Sequence, residues 1–307
     1  MRIAVLIPCY NEEAAITKTV EDFKHALPEA TVYVYDNNSK DRTIELARAA
    51  GAVVRSENLQ GKGHVVRRMF ADIEADIYVM TDGDATYHAP SAPAMIQKLI
   101  DENLDMVVGT RLHTDEAGAF RAGHQLGNHL ITGTVAWLFG DRFKDMLSGY
   151  RIFSRRFAKS FPALSHGFET ETELAVHALS LDMPVAEVQT PYYARPPGSV
   201  SKLSTYKDGW RILKMIIRLT KAERPLFFFG VLSGLMALLA LLLALPVLLT
   251  YLDTGLVPRF PTAILSASIM ILAFLSLASG FILDNVTRGR REIKRMIYLS
   301  YPAPGRG

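Results

Sequence analysis

The stretch RIAVLIPCYNEEAAITKTVEDFKHALPEATVYVYD, residues 2–36, decides the fold. RIAVLIP is a short, continuous apolar run, the pattern of a strand buried on both faces. EEAAITKTVEDFKHAL follows with apolar residues at helical spacing, its acids placed in the first turn to complement the helix dipole. TVYVYD is a second β-rich run and ends in polar NNSKD. Strand, helix and strand in that order predict a parallel pair joined by a crossover helix.

The same alternation continues outward. DRTIELARAAG reads as a helix closed by Gly51, AVVRS as a third strand, and GKGHVVRRMFADIEA as a third helix. DIYVMTD is a fourth strand, followed by a helix near Ala92 to Glu102 and then by DMVVGTR. The fold class predicted is α/β, a mostly parallel sheet flanked by helices. In such sheets ligands bind outside the carboxyl ends of the strands. The clusters CYNEE, DNNSKD, DGD and GTR all lie just past apolar runs and are expected to converge on one crevice.

Asp82 and Asp84 bracket a glycine at one of these ends. Asp and Gly are ordinary turn residues, but convergence on one edge favours a divalent cation held by oxygen ligands. Mg²⁺ or Mn²⁺ is the expected ion, with waters and substrate phosphates filling its other positions. Asp36 is suited to accept hydrogen bonds from a base or ribose. Lys62, between Gly61 and Gly63, stands in a loop able to approach phosphate, although neither GxxxxGK[ST] nor GxGxxG is present. Asp145 and Arg151 fall in DMLSGYRIFSRR, where acceptor binding competes with a plain surface loop. Arg195 and Lys202 fall in ARPPGSVSKLS, where an anion clamp competes with a linker.

The C-terminal third differs in kind. Residues 226–252 and 261–283 are uncharged apolar runs, each long enough to cross a bilayer. Lys and Arg flank both runs on their outer sides, while the connection DTGLVPRF carries Arg259 and Asp253. The positive-inside rule then predicts cytoplasmic termini and an external hairpin. Between Tyr206 and Glu223, Lys207, Arg211, Lys214, Arg218 and Lys221 recur on one helical face, which suggests a basic helix in the headgroup plane. Residues 200–307 hold fourteen Lys and Arg against five Asp and Glu, so the remainder is acidic despite the net charge of +3. A nucleic-acid partner is not expected. The opening residues do not read as a signal peptide, and the lone Cys9 fits a reducing compartment.

In order, IPCYNEE, DNNSKD, NLQGKG, DGD, GTR, SGYR and R-x-x-G-x-x-SK resemble the inverting family 2 glycosyltransferases of GT-A, Rossmann-like fold. With two C-terminal spans the chain looks like the polyprenyl-phosphate type, which includes dolichyl-phosphate mannose and glucose synthases. The resemblance implies a cytoplasmic catalytic domain over residues 1–205, an interfacial helix at 206–224, a transmembrane pair over 225–283 and a basic tail at 284–307. It implies that Pro8, Tyr10, Glu12, Asp36 and Asn38 hold the nucleotide, with Lys62 near the donor. Asp82 and Asp84 would bind the metal diphosphate. Asp145 and Arg151 would act at the reacting centre, and Arg111, Arg151, Arg195 and Lys202 would receive the lipid phosphate. DNNS replaces the commoner DDGS, and Thr86 stands where many relatives have glutamine.

The activity implied is transfer from a nucleotide sugar, a UDP-hexose or UDP-N-acetylhexosamine, to a polyprenyl phosphate in a bacterial or archaeal cytoplasmic membrane. The alternatives are a GDP-mannose donor, elongation of a saccharide already on lipid, or a catalytically silent assembly module. Two lone spans could also pack against copies of themselves.

Overall fold

The structure is a computed structural model that describes residues 1–113, 133, 143–164, 169–196, 214 and 217–305. It divides into two compact units, Met1–Ile212 with Ile293–Gly307, and Leu213–Glu292.

In the first unit the described strands are β1 (Ile3–Cys9), β2 (Thr31–Asp36), β3 (Val53–Ser56), β4 (Ile77–Met80), β5 (Met106–His113), β6 (Arg151–Ser154) and β7 (Val185–Tyr192). They form one sheet in the order β3-β2-β1-β4-β6-β5-β7. Every pairing is parallel except those of β6, which runs antiparallel between β4 and β5. The expected mostly parallel α/β sheet is therefore present. Strand order reverses at β1 and β4, and the carboxyl ends at such a reversal are where open α/β sheets bind ligands.

One face is covered by α1 (Ile16–Ala26) and α4 (Ala92–Asp101). Ile16, Val20 and Phe23 of α1 and Met95, Ile96 and Leu99 of α4 bury the stripes that their spacing lays on one side. They meet Val5, Ile7, Val34, Val79 and Ile152 of the sheet. The opposite face carries Tyr78 and Phe153, packed with Phe70 of α3 (Lys62–Asp72) and with Phe157 of α5 (Arg155–Ser160). Helices α2 (Thr43–Ala49) and α6 (Thr170–Ser180) also belong to this unit, with a short 3-10 turn at Ala89–Ser91.

Three local expectations are corrected. Helix α1 begins at Ile16, with no acid in its first turn, because the backbone carbonyl of Glu12 closes a turn ahead of it by accepting the N–H groups of Ala15 and Ile16. GTR lies within β5 rather than beyond it. SGYRIFS is not a plain surface loop; Arg151 opens the fully buried strand β6, and a helix follows it. Gly51 does close α2, at φ 83°.

The second unit contains α7 (Pro225–Thr254) and most of α8 (Phe260–Leu299), both long and apolar enough to cross a membrane. Their seam is made of small residues. Ser266, Ala273, Gly280 and Thr287 recur every seventh residue and are buried, as are Ser233 and Ala240 opposite. Ser233 Oγ donates to the carbonyl of Ala273 at 2.7 Å. A Cβ on Gly280 would stand 3.0 Å from that of Phe229, so the seam depends on close backbone approach. The segment 206–224 lies for the most part outside the described residues.

The end of α8 belongs to the first unit. Tyr298 donates to buried Asp105 at 2.8 Å, and the Arg156 guanidinium lies 4.8 Å from the Tyr298 ring centre while it also pairs with Asp105. Arg155 stacks on Tyr301 in the same way.

Candidate active site

The carboxyl edge of β1, β2 and β4 gathers most of the residues singled out in the sequence. Pro8 is buried at the end of β1, and Tyr10 and Glu12 follow in the loop to α1. That loop is stitched to the one after β2: Asn11 N–H donates to Ser39 Oγ, Lys40 N–H to Asn11 Oδ1, and Glu12 N–H to Thr43 Oγ1. Asp36, at the end of β2, is 2% exposed. Its Oδ2 accepts from Ser39 N–H, but among the described residues nothing donates to its buried Oδ1. A buried carboxylate oxygen without a partner is costly, and a nucleoside N–H or hydroxyl would satisfy it.

The DNNS departure has a structural meaning. Asn37 is buried and uses both ends of its amide. It donates to the carbonyls of Glu57 and Leu59 at 2.8 Å each and accepts from Gly61 N–H at 2.7 Å. Asn38, at φ 67°, donates to the carbonyl of Asn58. The two asparagines therefore brace the loop that delivers Lys62. Gly61 turns the chain into α3 at φ 134°, a conformation natural only to glycine.

Lys62 Nζ donates to Asp82 Oδ1 and to Glu171 Oε1, each at 2.5 Å. Burial works against the Lys62 charge, but the two carboxylates outweigh it and hold the ammonium well above its ordinary range. Glu171, in the first turn of α6, was not identified from sequence; in GFETETEL it looks like an acid complementing a helix dipole. Only the fold brings it to Lys62.

Asp84 has its side chain 5% exposed and is partnered on both oxygens. Thr86 Oγ donates to Oδ1 at 2.7 Å, and Arg195 lies 2.8 Å from Oδ2. Burial, then the neighbouring Asp82 charge, raises its carboxyl despite Thr86 and Arg195. Gly149 of SGYR makes room for Asp82, since a Cβ there would overlap its carboxylate. Gly149 N–H donates to Tyr87 just beyond the acidic pair. Each acid thus already holds a side-chain cation, and the set is hard oxygen. Among the described residues no group of three His, Cys, Asp or Glu surrounds a common point. Two carboxylates completed by diphosphate oxygens and water fit Mg²⁺ or Mn²⁺.

Arg111 and Asp145 form one unit. Arg111 Nε donates to Asp145 Oδ2 and Nη2 to Oδ1, both at 2.7 Å. Burial raises the Asp145 carboxyl, but the hydrogen bonds and charge of Arg111 overcome it, and the carboxyl sits below its ordinary range. Arg111 also lies over the Tyr192 ring, which places the pair beside the end of β7.

Arg151 is placed differently from the expectation of an acceptor ligand. It is 0% exposed and donates to the carbonyls of Ser148 and Met146, at 2.9 and 2.5 Å. Burial lowers it to about 10. In this geometry it braces the loop before β6. Lys202 lies outside the described residues.

A sequence signature described as Glycosyl transferase family 2 matches residues 4–161, more than half of the chain. An uncharacterised Shigella flexneri protein is 57% identical over 155 residues, covering 50% of this chain and 95% of that one. Glycosyltransferase AglJ of Haloferax volcanii is 38% identical over 229 residues, 74% of this chain and 75% of its own. A dolichyl-phosphate hexose transferase of the same organism is 29% identical over 228 residues, 72% and 95% of the two chains. Among solved structures, Mycobacterium tuberculosis glucosyl-3-phosphoglycerate synthase, crystallised with Mn²⁺, UDP and glucosyl-3-phosphoglycerate, has the same fold. Its TM-score is 0.59 at 24% identity, over 72% of this chain and 79% of that one. A signature covering β1 to β6 and the acidic edge of the sheet, with relatives matched along most of their length, makes this chain a member of glycosyl transferase family 2 and a glycosyltransferase.

Proposed function

We propose that this glycosyltransferase, acting on a nucleotide sugar, delivers the sugar with inversion to a polyprenyl phosphate and so makes a lipid-phosphate monosaccharide. The observation that carries the reading is a strand-edge cluster of two acids paired with two cations, in a glycosyltransferase chain that also holds two membrane-length apolar helices. The likeness to a dolichyl-phosphate hexose transferase supports the acceptor class.

In this reading Asp36, with its unpartnered oxygen, receives the nucleoside, and Pro8, Tyr10, Glu12 and Asn38 wall that end of the crevice. Asp82 and Asp84 hold Mg²⁺ or Mn²⁺, an ion that neutralises charge growing on a departing diphosphate. Lys62 adds a cation beside Asp82. Arg195 leaves Asp84 when donor arrives and, with Arg111, turns to the acceptor phosphate. That phosphate is ionised near neutral pH, so its oxygen can attack the anomeric carbon without a strong base. Asp145, with both oxygens on Arg111, then orients the arginine more than it removes a proton.

Purified protein reconstituted with a polyprenyl phosphate, Mg²⁺ or Mn²⁺ and a panel of UDP- and GDP-sugars tests this. The expected product is a monosaccharide on lipid phosphate, with nucleoside diphosphate released. Use of a glycosylated lipid with no use of the bare phosphate would replace the proposal by chain elongation. Donor turnover with neither lipid would remove the lipid acceptor altogether.

A further inference from the structure

The loop 143–148 carries Asp145, and it is gripped from both sides by charges that stand in the sheet. Val108 of β5 pairs with Arg151 on β6 and with Glu187 on β7. The three residues form one transverse row, and laterally paired residues point to the same face of a sheet. A guanidinium and a carboxylate therefore rise from the same face on either side of a valine. They take opposite ends of the loop. Glu187 Oε1 accepts the N–H groups of Lys144 and Asp145, at 2.8 and 3.1 Å. Arg151 donates to the carbonyls of Met146 and Ser148. Ser148 Oγ adds a hydrogen bond of 2.6 Å to the carbonyl of Gly109, tying the loop to β5 as well.

The polarity is matched: the anion binds donors where the loop enters and the cation binds acceptors where it leaves. Glu187 lies on the edge strand, where an apolar side chain would serve packing alone. Its carboxylate instead goes to backbone N–H groups, one of them that of Asp145.

We infer that Glu187 is a positioning residue for Asp145, acting through the backbone of residues 144–145 with Arg151 as the opposing post. The inference rests on the reading of Asp145 as a working group of the transfer site. Positioning errors of about 1 Å cost on the order of a hundredfold in rate, so losing this anchor matters even though Glu187 touches no reactant. Because both hydrogen bonds go to one oxygen, an amide oxygen can replace it.

The test uses the full-length protein in vesicles containing polyprenyl phosphate, with Glu187→Gln and Glu187→Met, which keeps the stem and removes the acceptor. The measurements are kcat, donor KM and amide exchange across residues 143–149. E187Q is expected to keep turnover within about threefold of wild type, and E187M to lose about ten- to a hundredfold in kcat with donor KM nearly unchanged. Exchange at 143–149 should accelerate in E187M and stay slow in E187Q. Wild-type turnover in E187M would overturn the inference, and so would an equal loss in both variants, which would make charge rather than the acceptor oxygen decisive. If E187M does not fold, Glu187→Val takes its place with the same expectations. If wild type transfers no sugar, the functional proposal fails; slow exchange in E187M would then sink the positioning role separately.

Discussion

Arg111 and Asp145 share two hydrogen bonds of 2.7 Å, which makes a cation suited to phosphate and a carboxylate suited to catalysis a single charge-balanced unit. Each is also mostly withdrawn from water, at 14% and 12% side-chain exposure. Changing either one removes from the other a bidentate, charge-matched partner.

The first expected outcome concerns this unit and pH. Asp145 is held below its ordinary range, so the pair stabilises the fold above the unfolded carboxyl value of about 3.9 and loses that contribution as pH falls through the folded value. Across pH 6–9 the pH–rate profile should therefore show no limb due to Asp145. Asp145→Asn should lower kcat at least about tenfold without changing the shape of the profile. An acidic limb near pH 6–7 that vanished in D145N would instead mark Asp145 as a general base.

Arg195 occupies an oxygen of Asp84 that a metal would use. Removing this competitor with Arg195→Ala should tighten Mn²⁺ binding to the donor-free protein while lowering transfer, as read by electron paramagnetic resonance titration and by product formation. Asp84→Asn should weaken Mn²⁺ and reduce transfer by about a hundredfold or more. Unchanged Mn²⁺ affinity in R195A would separate Arg195 from the metal site.

Lys62 stands between two carboxylates, Asp82 and Glu171. Lys62→Met leaves both acids facing each other, and breaking such a partly buried cluster costs about 3–5 kcal/mol. The double variant Lys62→Met with Glu171→Gln should recover part of that loss in thermal or urea melts. Strict additivity of the two single changes would show that Lys62 and Glu171 are energetically independent.

Gly149 is the space into which Asp82 fits. Gly149→Ala should displace that carboxylate and cut transfer more than about tenfold, with a stability loss of about 1–3 kcal/mol from overpacking. The melt and the rate measured on one preparation separate the two effects. A variant with full activity would mean that the placement of Asp82 does not matter to the reaction.

Much of this was legible because burial on both faces makes a strand continuously apolar. AVLIPC, VYVYD and IYVM announce themselves in that way, and the acids beyond IYVM mark the working edge. Strands β6 and β7 were not legible, since Arg151 and Glu187 put full charges within them and their pairings join segments far apart in sequence. The site divides along the same line. Asp82, Asp84 and Asp36 stand out as candidates by position after a strand, whereas Glu171 becomes a candidate only because a lysine 109 residues away reaches it. Arg151 shows the reverse relation between motif and fold. An arginine in a motif reads as a ligand, yet here its hydrogen bonds are spent on backbone carbonyls.

The catalytic unit is not contiguous, since residues 293–307 join it after the apolar helices have been made. Tyr298 closes over Asp105, a wholly buried carboxylate otherwise served by Arg156 and Ser154. During synthesis the sheet can assemble while this carboxylate still lacks its phenol. The final clasp must wait until both apolar segments have been synthesised, because Tyr298 follows them in the chain.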